Sequence, residues 1–332
     1  MATIQEVAEH AGVSAGTVSR YLNGHQLKAA NQIRVERAIE ELGYRSNYLA
    51  RGLRSKRSMS IGLLVNNMLN HFAVSLVAQV EREMEINDYN IILSGFRESR
   101  DIFVHKLEGL IDRRVDGLIL CEPIQDERAR DLIEHCEVPV LAISNLLPYR
   151  NVDNILVSSR ESCRAVTARM IQAGHERIGV LAATQTEYVA QERLSGVLEA
   201  FDDAGLPRQG AIVRIGGYGR EFGYQDMKRL IMEDHVDCVF ALNYGRGQGA
   251  QQAIDEFGLR IGENFSFACY DYLDTKIYSR PNITAVHPPS IEIGSMAATR
   301  ILSMIEDGSR ATGGITYVGE NIEWMPSIVG MD

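Results

Sequence analysis

The sequence predicts an α/β chain: a small all-α head at the N-terminus, then a long body of doubly wound parallel sheets in two lobes. Three observations carry this. From Ser60 onward, short apolar runs alternate with amphipathic helical stretches, the rhythm of parallel strands joined by helical crossovers. That alternation is too long for one ordinary sheet and breaks near Val157. The charge is also split. Residues 1–60 carry nine Lys and Arg against five acids, net +4, whereas the rest carries 25 against 39, net −14, within a total of −10. A basic end on an acidic body suits contact with a polyanion through one face only.

The head comes first. Thr3-Ile4-Gln5-Glu6 has the form of a capping box, in which the Thr side chain accepts from a backbone N–H three residues on and Glu6 reaches back. Ile4, Val7, Ala8 and Ala11 then share one helix face. Gly12 suits a left-handed helix stop. Ser14 is a good N-cap for a second helix with Val18 and Leu22 on one side. Two short helices joined so tightly match a helix-turn-helix. The second helix would present Ala15, Gly16, Thr17, Ser19 and Arg20 on its polar side. A third helix, 31–42, buries Val35, Ala38, Ile39 and Leu42 and stops at Gly43.

The body continues with strand 61–65, helix 72–87, strand 90–96, a helix to about 113, and strand 117–121. Helix 126–135 and strand 139–144 close the first series. The second runs through strand 155–159, helix 162–173, strand 177–183, a helix to about 204, and strand 212–216. Helix 221–232, strand 238–243, helix 245–257 and strand 265–270 complete it, and a last helix spans 290–306.

At 332 residues and 45% hydrophobic, the chain can bury a large core. The five cysteines (Cys121, Cys136, Cys163, Cys238, Cys269) lack CxxC or metal spacing and read as reduced, mostly buried thiols. The N-terminus is polar, and no run reaches transmembrane length. A cytoplasmic, nucleoid-associated protein without a membrane partner is expected. An enzyme would need a nucleophile elbow, a metal cluster or a nucleotide loop; none is present, so catalytic residues, metal and cofactors are expected to be none. Gly216-Gly217-Tyr218-Gly219 only imitates a phosphate loop. A transport-binding protein would need a signal peptide and no helix-turn-helix.

The wording of the head is more specific than its pattern. Thr3-Ile4-x-x-Val7-Ala8-x-x-Ala11-Gly12-Val13-Ser14-x-x-Thr17-Val18-Ser19-Arg20-x-Leu22-Asn23 closely resembles the N-terminal signature of the lactose/galactose repressor family. Glu40-Glu41-Leu42-Gly43-Tyr44 and Ala50-Arg51-x-Leu53 continue it in register. The resemblance implies that the second helix lies in the major groove of operator DNA. Ala15, Gly16 and Arg20 would face base edges. Arg20 can donate two hydrogen bonds to a guanine, whereas Ala15 offers only apolar contact. Thr3, Ser14, Thr17, Ser19 and Asn23 would touch phosphates or act as caps. The segment 47–58, with Asn47, Ala50, Arg51, Leu53 and Arg54 toward DNA, would form a hinge helix whose Leu53 wedges into the minor groove. Gly52 disfavours that helix off DNA by about 1 kcal/mol relative to Ala. The family usually has Pro at Ser46, so the approach to the hinge is less rigid here, and a second departure opens the third helix, where the usual Thr-Arg pair reads Asn31-Gln32.

For the body the resemblance implies a fold like periplasmic sugar-binding proteins, with crossovers near 157, 287 and 318. The expected division is head 1–46, hinge 47–58, lobe 1 over 59–157 and 288–318, and lobe 2 over 158–287 and 319–332. Ligands in open α/β sheets bind beyond the carboxyl ends of the strands, so two facing lobes make one cleft. Those strand ends offer Asn70, His71, Phe72, Arg97, Glu122, Ser144 and Asn145 on the first lobe. The second offers Ser158, Glu192, Arg193, Tyr218, Asn243, Tyr244, Asp271, Tyr272 and His287. Carried over by position, Arg193 in Glu192-Arg193-Leu194-x-Gly196 and Asp271 in Tyr270-Asp271 match the family's effector-binding Arg and Asp. Asn243 and Phe72 match an Asn and an aromatic, and Tyr218 a stacking position. The expected effector site is therefore Phe72, His71, Glu122, Arg193, Tyr218, Asn243, Tyr244, Asp271 and His287. Departures are Tyr244 for Asp, His71 for Pro, Ser158 for Asp and Ser144 for Asp. Glu187 stands near a basic position of the purine-responsive member, which argues against a purine. The set suits a neutral mono- or disaccharide; a phosphorylated sugar would have to use Arg193, Arg97 and His287. The expected protein is a homodimeric repressor of carbohydrate-utilisation genes on a pseudo-palindromic operator, released by its effector.

Overall fold

The computed structural model describes residues 2–22, 25–44, 57–68, 71–271 and 283–330. Asn23, Asn47, Ala50, Arg51, Leu53, Arg54, Asn70 and Tyr272 lie outside the described residues. The chain forms two compact units, Met1–Ser58 and Met59–Asp332.

In the first unit α1 (Ile4–Ala11), α2 (Ala15–Leu22) and α3 (Ala29–Glu41) form a three-helix head. The capping box is present in full: Thr3 Oγ1 accepts from Glu6 N–H at 3.3 Å, and Thr3 N–H donates to Glu6 Oε2 at 2.7 Å. Gly12, at φ 63°, turns the chain left-handed and donates its N–H to Ala8 and Glu9 carbonyls. Ser14 Oγ accepts from Thr17 N–H at 3.2 Å and opens α2. Val7, Ala8, Ala11, Val18, Val35 and Ala38 are buried together. Each fully buried valine contributes about 1.5–3 kcal/mol, which is what allows helices this short to persist.

The second unit contains two six-stranded sheets. The first runs β11-β5-β4-β3-β1-β2, from β1 (Ser60–Val65), β2 (Asn90–Gly95), β3 (Gly117–Cys121), β4 (Val140–Ile143), β5 (Val152–Val157) and β11 (Ile315–Val318). All of its pairings are parallel. The second runs β12-β10-β9-β8-β6-β7, from β6 (Ile178–Ala183), β7 (Ala211–Gly216), β8 (Cys238–Ala241), β9 (Ser266–Tyr270), β10 (Thr284–His287) and β12 (Asn321–Glu323). Here only β10 with β12 is antiparallel. In the first series the helices are α4 (His71–Ile86), α5 (Arg100–Asp112) and α6 (Glu127–His135). The second has α7 (Ser159–Gln172), α8 (Tyr188–Asp203), α9 (Arg220–Met232) and α10 (Tyr244–Glu256). α11 (Ser290–Asp307) follows β10 and returns to the first sheet, burying Ile293, Ala297 and Ile301 with Leu76, Val80 and Met84 of α4. The chain thus passes between sheets after β5, after β10 and after β11. All five cysteines are buried and free.

Several boundaries differ from the expectation, for physical reasons. β5 begins at Val152, three residues early, because Asp153 and Asn154 are buried with their polar atoms satisfied. Asp153 receives Arg300 Nε at 3.0 Å and the Thr312 and Gly314 N–H groups. Asn154 bonds Leu147 both ways. β10, β11 and β12 span only four, four and three residues, too few for a period to register. The run Gly245-Arg246-Gly247-Gln248-Gly249 opens a helix and serves packing. A Cβ on Gly249 would stand 1.9 Å from the Arg220 carbonyl oxygen, and one on Gly245 2.3 Å from that of Tyr218. The glycines admit α9 and its preceding loop against α10 at backbone contact.

Candidate functional site

A cleft of about 280 Å³ lies between the carboxyl edges of the two sheets. Each strand end supplies a wall residue. From the first sheet come Asn66 after β1, Glu98 after β2, Glu122 after β3 and Ser144 after β4, with Phe72 from α4. From the second come Glu187 and Arg193 around the start of α8, Tyr218 and Arg220 before and in α9, Asn243, Tyr244 and Gln248 at α10, and Asp271 after β9.

The backbone at these ends is under strain. Arg97, Glu98, Glu122, Ser144 and Asp271 all have positive φ, between 50° and 69°, a region that side chains rarely adopt. Such conformations cost about 1–3 kcal/mol each and collect where ligands bind. Each turn aims its side chain or the next one at the cleft. Asn66 fixes one of them: its Oδ1 accepts from Glu98 N–H at 2.7 Å.

Arg193 is the central cation. Its guanidinium lies 3.4 Å from the centre of the Tyr270 ring and donates from Nη1 to the Leu242 carbonyl at 2.9 Å. Its Nε is buried with no hydrogen-bond partner. Tyr270 in turn donates its hydroxyl to the Glu320 carboxylate, and Ser159 Oγ stands 2.9 Å from the same hydroxyl. Burial pushes the Tyr270 phenol well up. Glu320 is raised by burial too, against the pull of Tyr270 and Arg193.

Carboxylates surround that cation. Burial, then the Glu187 charge, push Glu122 up to about 7, although Arg193 pulls it down. Glu98 is raised by burial and by Glu187. Asp271 is raised by burial, against Arg193 and the nearby histidines, while accepting the Phe72 N–H. The Tyr218 hydroxyl donates to Glu187 Oε2 at 2.6 Å, and burial with that acidic partner raises the phenol. Asn145 crosses between the sheets, donating to Glu187 at 3.4 Å and accepting from Val189 N–H at 3.2 Å.

The cleft therefore gathers Phe72, Glu122, Arg193, Tyr218, Asn243, Tyr244 and Asp271. Asn243 is also the N-cap of α10, its Oδ1 accepting from Arg246 N–H at 2.9 Å. Two expected residues are not on the wall. His71 is exposed at the start of α4 and bonds Ser75 in its own helix at 3.3 Å. His287 ends β10 and pairs with Glu323 of the neighbouring strand at 3.3 Å. Glu192 is likewise drawn away by Arg160 at 2.6 Å. Asn66, Glu98, Arg220 and Gln248 were not singled out by the sequence. Asn66 directly follows an apolar strand and was reachable by the strand-end rule. Glu98 needed the unusual double left-handed turn at Arg97-Glu98.

On the head, Ala15, Gly16 and Arg20 are exposed. Ser14 and Thr17 share a hydroxyl contact at 2.9 Å, and Thr3 is occupied by its cap. These three act locally as helix-end residues, while Thr17 and Ser19 are half-buried.

A helix-turn-helix head on a two-lobed body with a polar cleft defines a ligand-binding DNA regulator. The comparisons agree. Residues 3–47 match the bacterial regulatory proteins of the lacI family, and residues 167–323 match a periplasmic binding protein-like domain. The chain is 30% identical over 312 residues to the HTH-type transcriptional repressor PurR of Pasteurella multocida (strain Pm70), covering 93% of each. It is 30% identical over 311 residues to the ribose operon repressor of Haemophilus influenzae (strain ATCC 51907 / DSM 11121 / KW20 / Rd), covering 92% of this chain and 93% of that one. Among solved structures it is similar to a transcriptional regulator CelR–cellobiose complex, with TM-score 0.74, 26% identity, and coverage of 98% of this chain and 100% of that one. The chain belongs to the lacI family of bacterial regulatory proteins. It is a DNA-binding transcriptional regulator of that family and not an enzyme.

Proposed function

We propose that this chain represses carbohydrate-utilisation genes and is released from its operator by a sugar bound between the two lobes. The single observation that carries this is the cleft wall itself. Arg193, Asp271 and Asn243 supply fixed donors and acceptors, which suits vicinal hydroxyls, and Phe72 and Tyr218 supply aromatic faces for a sugar ring. The similarity to a regulator solved with cellobiose and to a ribose operon repressor supports the same ligand class.

On this reading residues 1–46 are the head, 47–58 the hinge, 59–157 with 288–318 the first lobe, and 158–287 with 319–332 the second. Two copies bind a pseudo-palindromic operator in the cytoplasm, at the nucleoid. Ala15, Gly16 and Arg20 read bases, and Arg51, Arg54 and Leu53 engage the minor groove and its flanking phosphates. Ligand in the cleft shifts the first lobes and, with them, the pairing of the hinges. It can do so only through its different affinity for the two arrangements.

Thermal unfolding of the full chain against neutral mono- and disaccharides tests the ligand class. A sugar at 100-fold excess over its Kd stabilises by about 2.7 kcal/mol, a clear rise in Tm. A panel with no rise at millimolar concentration contradicts the sugar reading.

A further inference from the structure

The cleft holds more negative charge than hydroxyl recognition needs. Glu98, Glu122, Glu187 and Asp271 line it, against Arg193 and Arg220. Arg220 is turned onto α10, donating Nε and Nη2 to Gln252 at 3.1 and 2.8 Å. Arg193 is committed to the Tyr270 face and the Leu242 carbonyl at the second-sheet side. None of Glu98, Glu122 and Glu187 is in an ion pair among the described residues, and Arg193 acts on Glu122 only through its field. The Glu98 and Glu122 carboxylates have no hydrogen-bond partner among the described residues. Glu187 receives Tyr218 and Asn145 on one oxygen, Oε2, and leaves Oε1 open.

These glutamates are held in place at a cost. Glu98 and Glu122 each sit at positive φ on consecutive strand ends, and Asn66, itself buried, locks the Glu98 turn. A protein that strains its backbone to hold like charges together gains when a bound group relieves the repulsion. On the opposite wall Arg193, Tyr218, Asn243 and Tyr244 line the cleft with N–H and O–H groups. The two walls therefore ask for different chemistry: acceptor-rich and anionic on the first-sheet side, donor-bearing on the second.

We propose that the effector is an amino sugar, whose protonated amine sits among Glu98, Glu122 and Glu187 while its ring hydroxyls meet Arg193, Asp271 and Asn243. This rests on reading the cleft as a sugar site and names the sugar's class. A neutral sugar can bond the same oxygens without offsetting their charge. A phosphorylated sugar would bring a dianion to an acidic wall, and two of the cations it would need are elsewhere: His287 pairs with Glu323, and Arg97 is off the wall. A metal ion is the other cation to consider. No group of three His, Cys, Asp or Glu among the described residues is arranged to hold one.

The test is isothermal titration calorimetry of the full chain with matched triplets: glucosamine, galactosamine and mannosamine, each beside its neutral parent and its N-acetyl form. The expected result is one amine that binds about tenfold or more tightly than both of its partners, as close ion pairs allow. That preference should fall to about unity in Glu122→Gln and in Glu98→Gln, two variants that keep shape and remove charge; either one alone suffices if the other fails to fold. A neutral parent binding as tightly as its amine overturns the inference and leaves the sugar reading standing. Absence of binding by all three amines overturns it as well, and neutral disaccharides in the same cell then decide the sugar reading separately. Stabilisation by magnesium chloride that exceeds every amine overturns it in favour of a metal.

Discussion

Glu122 and Arg193 face the same cleft, and the charge of each has a measurable consequence. Glu122 follows an apolar strand, is held at φ 54°, and titrates near 7 in the folded chain because burial and Glu187 disfavour its charge. Between the ordinary carboxylate range and about 7, the folded state keeps a proton that the unfolded state has released. Raising the pH through that window therefore favours unfolding, and stability falls. Glu122→Gln should remove that slope and raise stability at neutral pH by on the order of 2 kcal/mol. Urea unfolding across the window reads it; an unchanged slope would show that Glu122 is ionised freely. Arg193→Ala should leave DNA binding intact and weaken the effector by about tenfold or more, the loss of charge-assisted bonds worth about 1.5–3 kcal/mol. Calorimetry beside a DNA-binding assay separates the two. Both residues were legible in the sequence, as a strand-end acid and as a resemblance. The partners that define them were not. Glu98 depends on a left-handed turn, and Glu320 and Tyr270 meet through long-range packing that no local pattern encodes.

At the scale of elements, the head was legible almost to the residue because its signals are local: a capping box, a left-handed glycine and a serine cap within twelve residues. Thr3→Ala should cost about 1 kcal/mol at α1, visible as faster amide exchange in that helix with the body unaffected. The body's central strands were equally plain, since buried parallel strands read as apolar runs. The misses have two causes. β5 hides polar residues that are satisfied by Arg300 and the 312–314 backbone, and β10 to β12 are too short to show a period. The glycines of α10 were visible as letters, but their purpose lay in a neighbour distant in sequence. Gly249→Ala drives a Cβ into the Arg220 carbonyl. It should destabilise by about 1–3 kcal/mol, as overpacked cores do, and displace Arg220 and Gln248 from the cleft wall. Loss of effector affinity greater than the loss of stability would mark that displacement; a neutral substitution would contradict the close packing.

The body is one unit made of two sheets whose carboxyl edges face each other across the cleft. Asn145 spans that gap to Glu187 and Val189, and the Tyr188 and Tyr317 hydroxyls approach to 3.4 Å. Asn145→Ala leaves the Val189 N–H without its acceptor, at about 1–3 kcal/mol, and should change effector affinity through the lobe arrangement, since Asn145 does not line the cleft. The charge split of the sequence, a basic end on an acidic body, accords with the lacI-family head matched over residues 3–47. On the proposed function, a molecule in the cleft controls binding of the head to DNA. The direct measurement is fluorescence anisotropy of a labelled duplex from upstream of the chain's own gene, titrated with the full chain with and without the sugar that raises its Tm. The account predicts an affinity that falls steeply with salt, weakens about fivefold or more with that sugar, and no longer responds in Arg193→Ala. DNA affinity unchanged by a ligand that demonstrably occupies the body would contradict it.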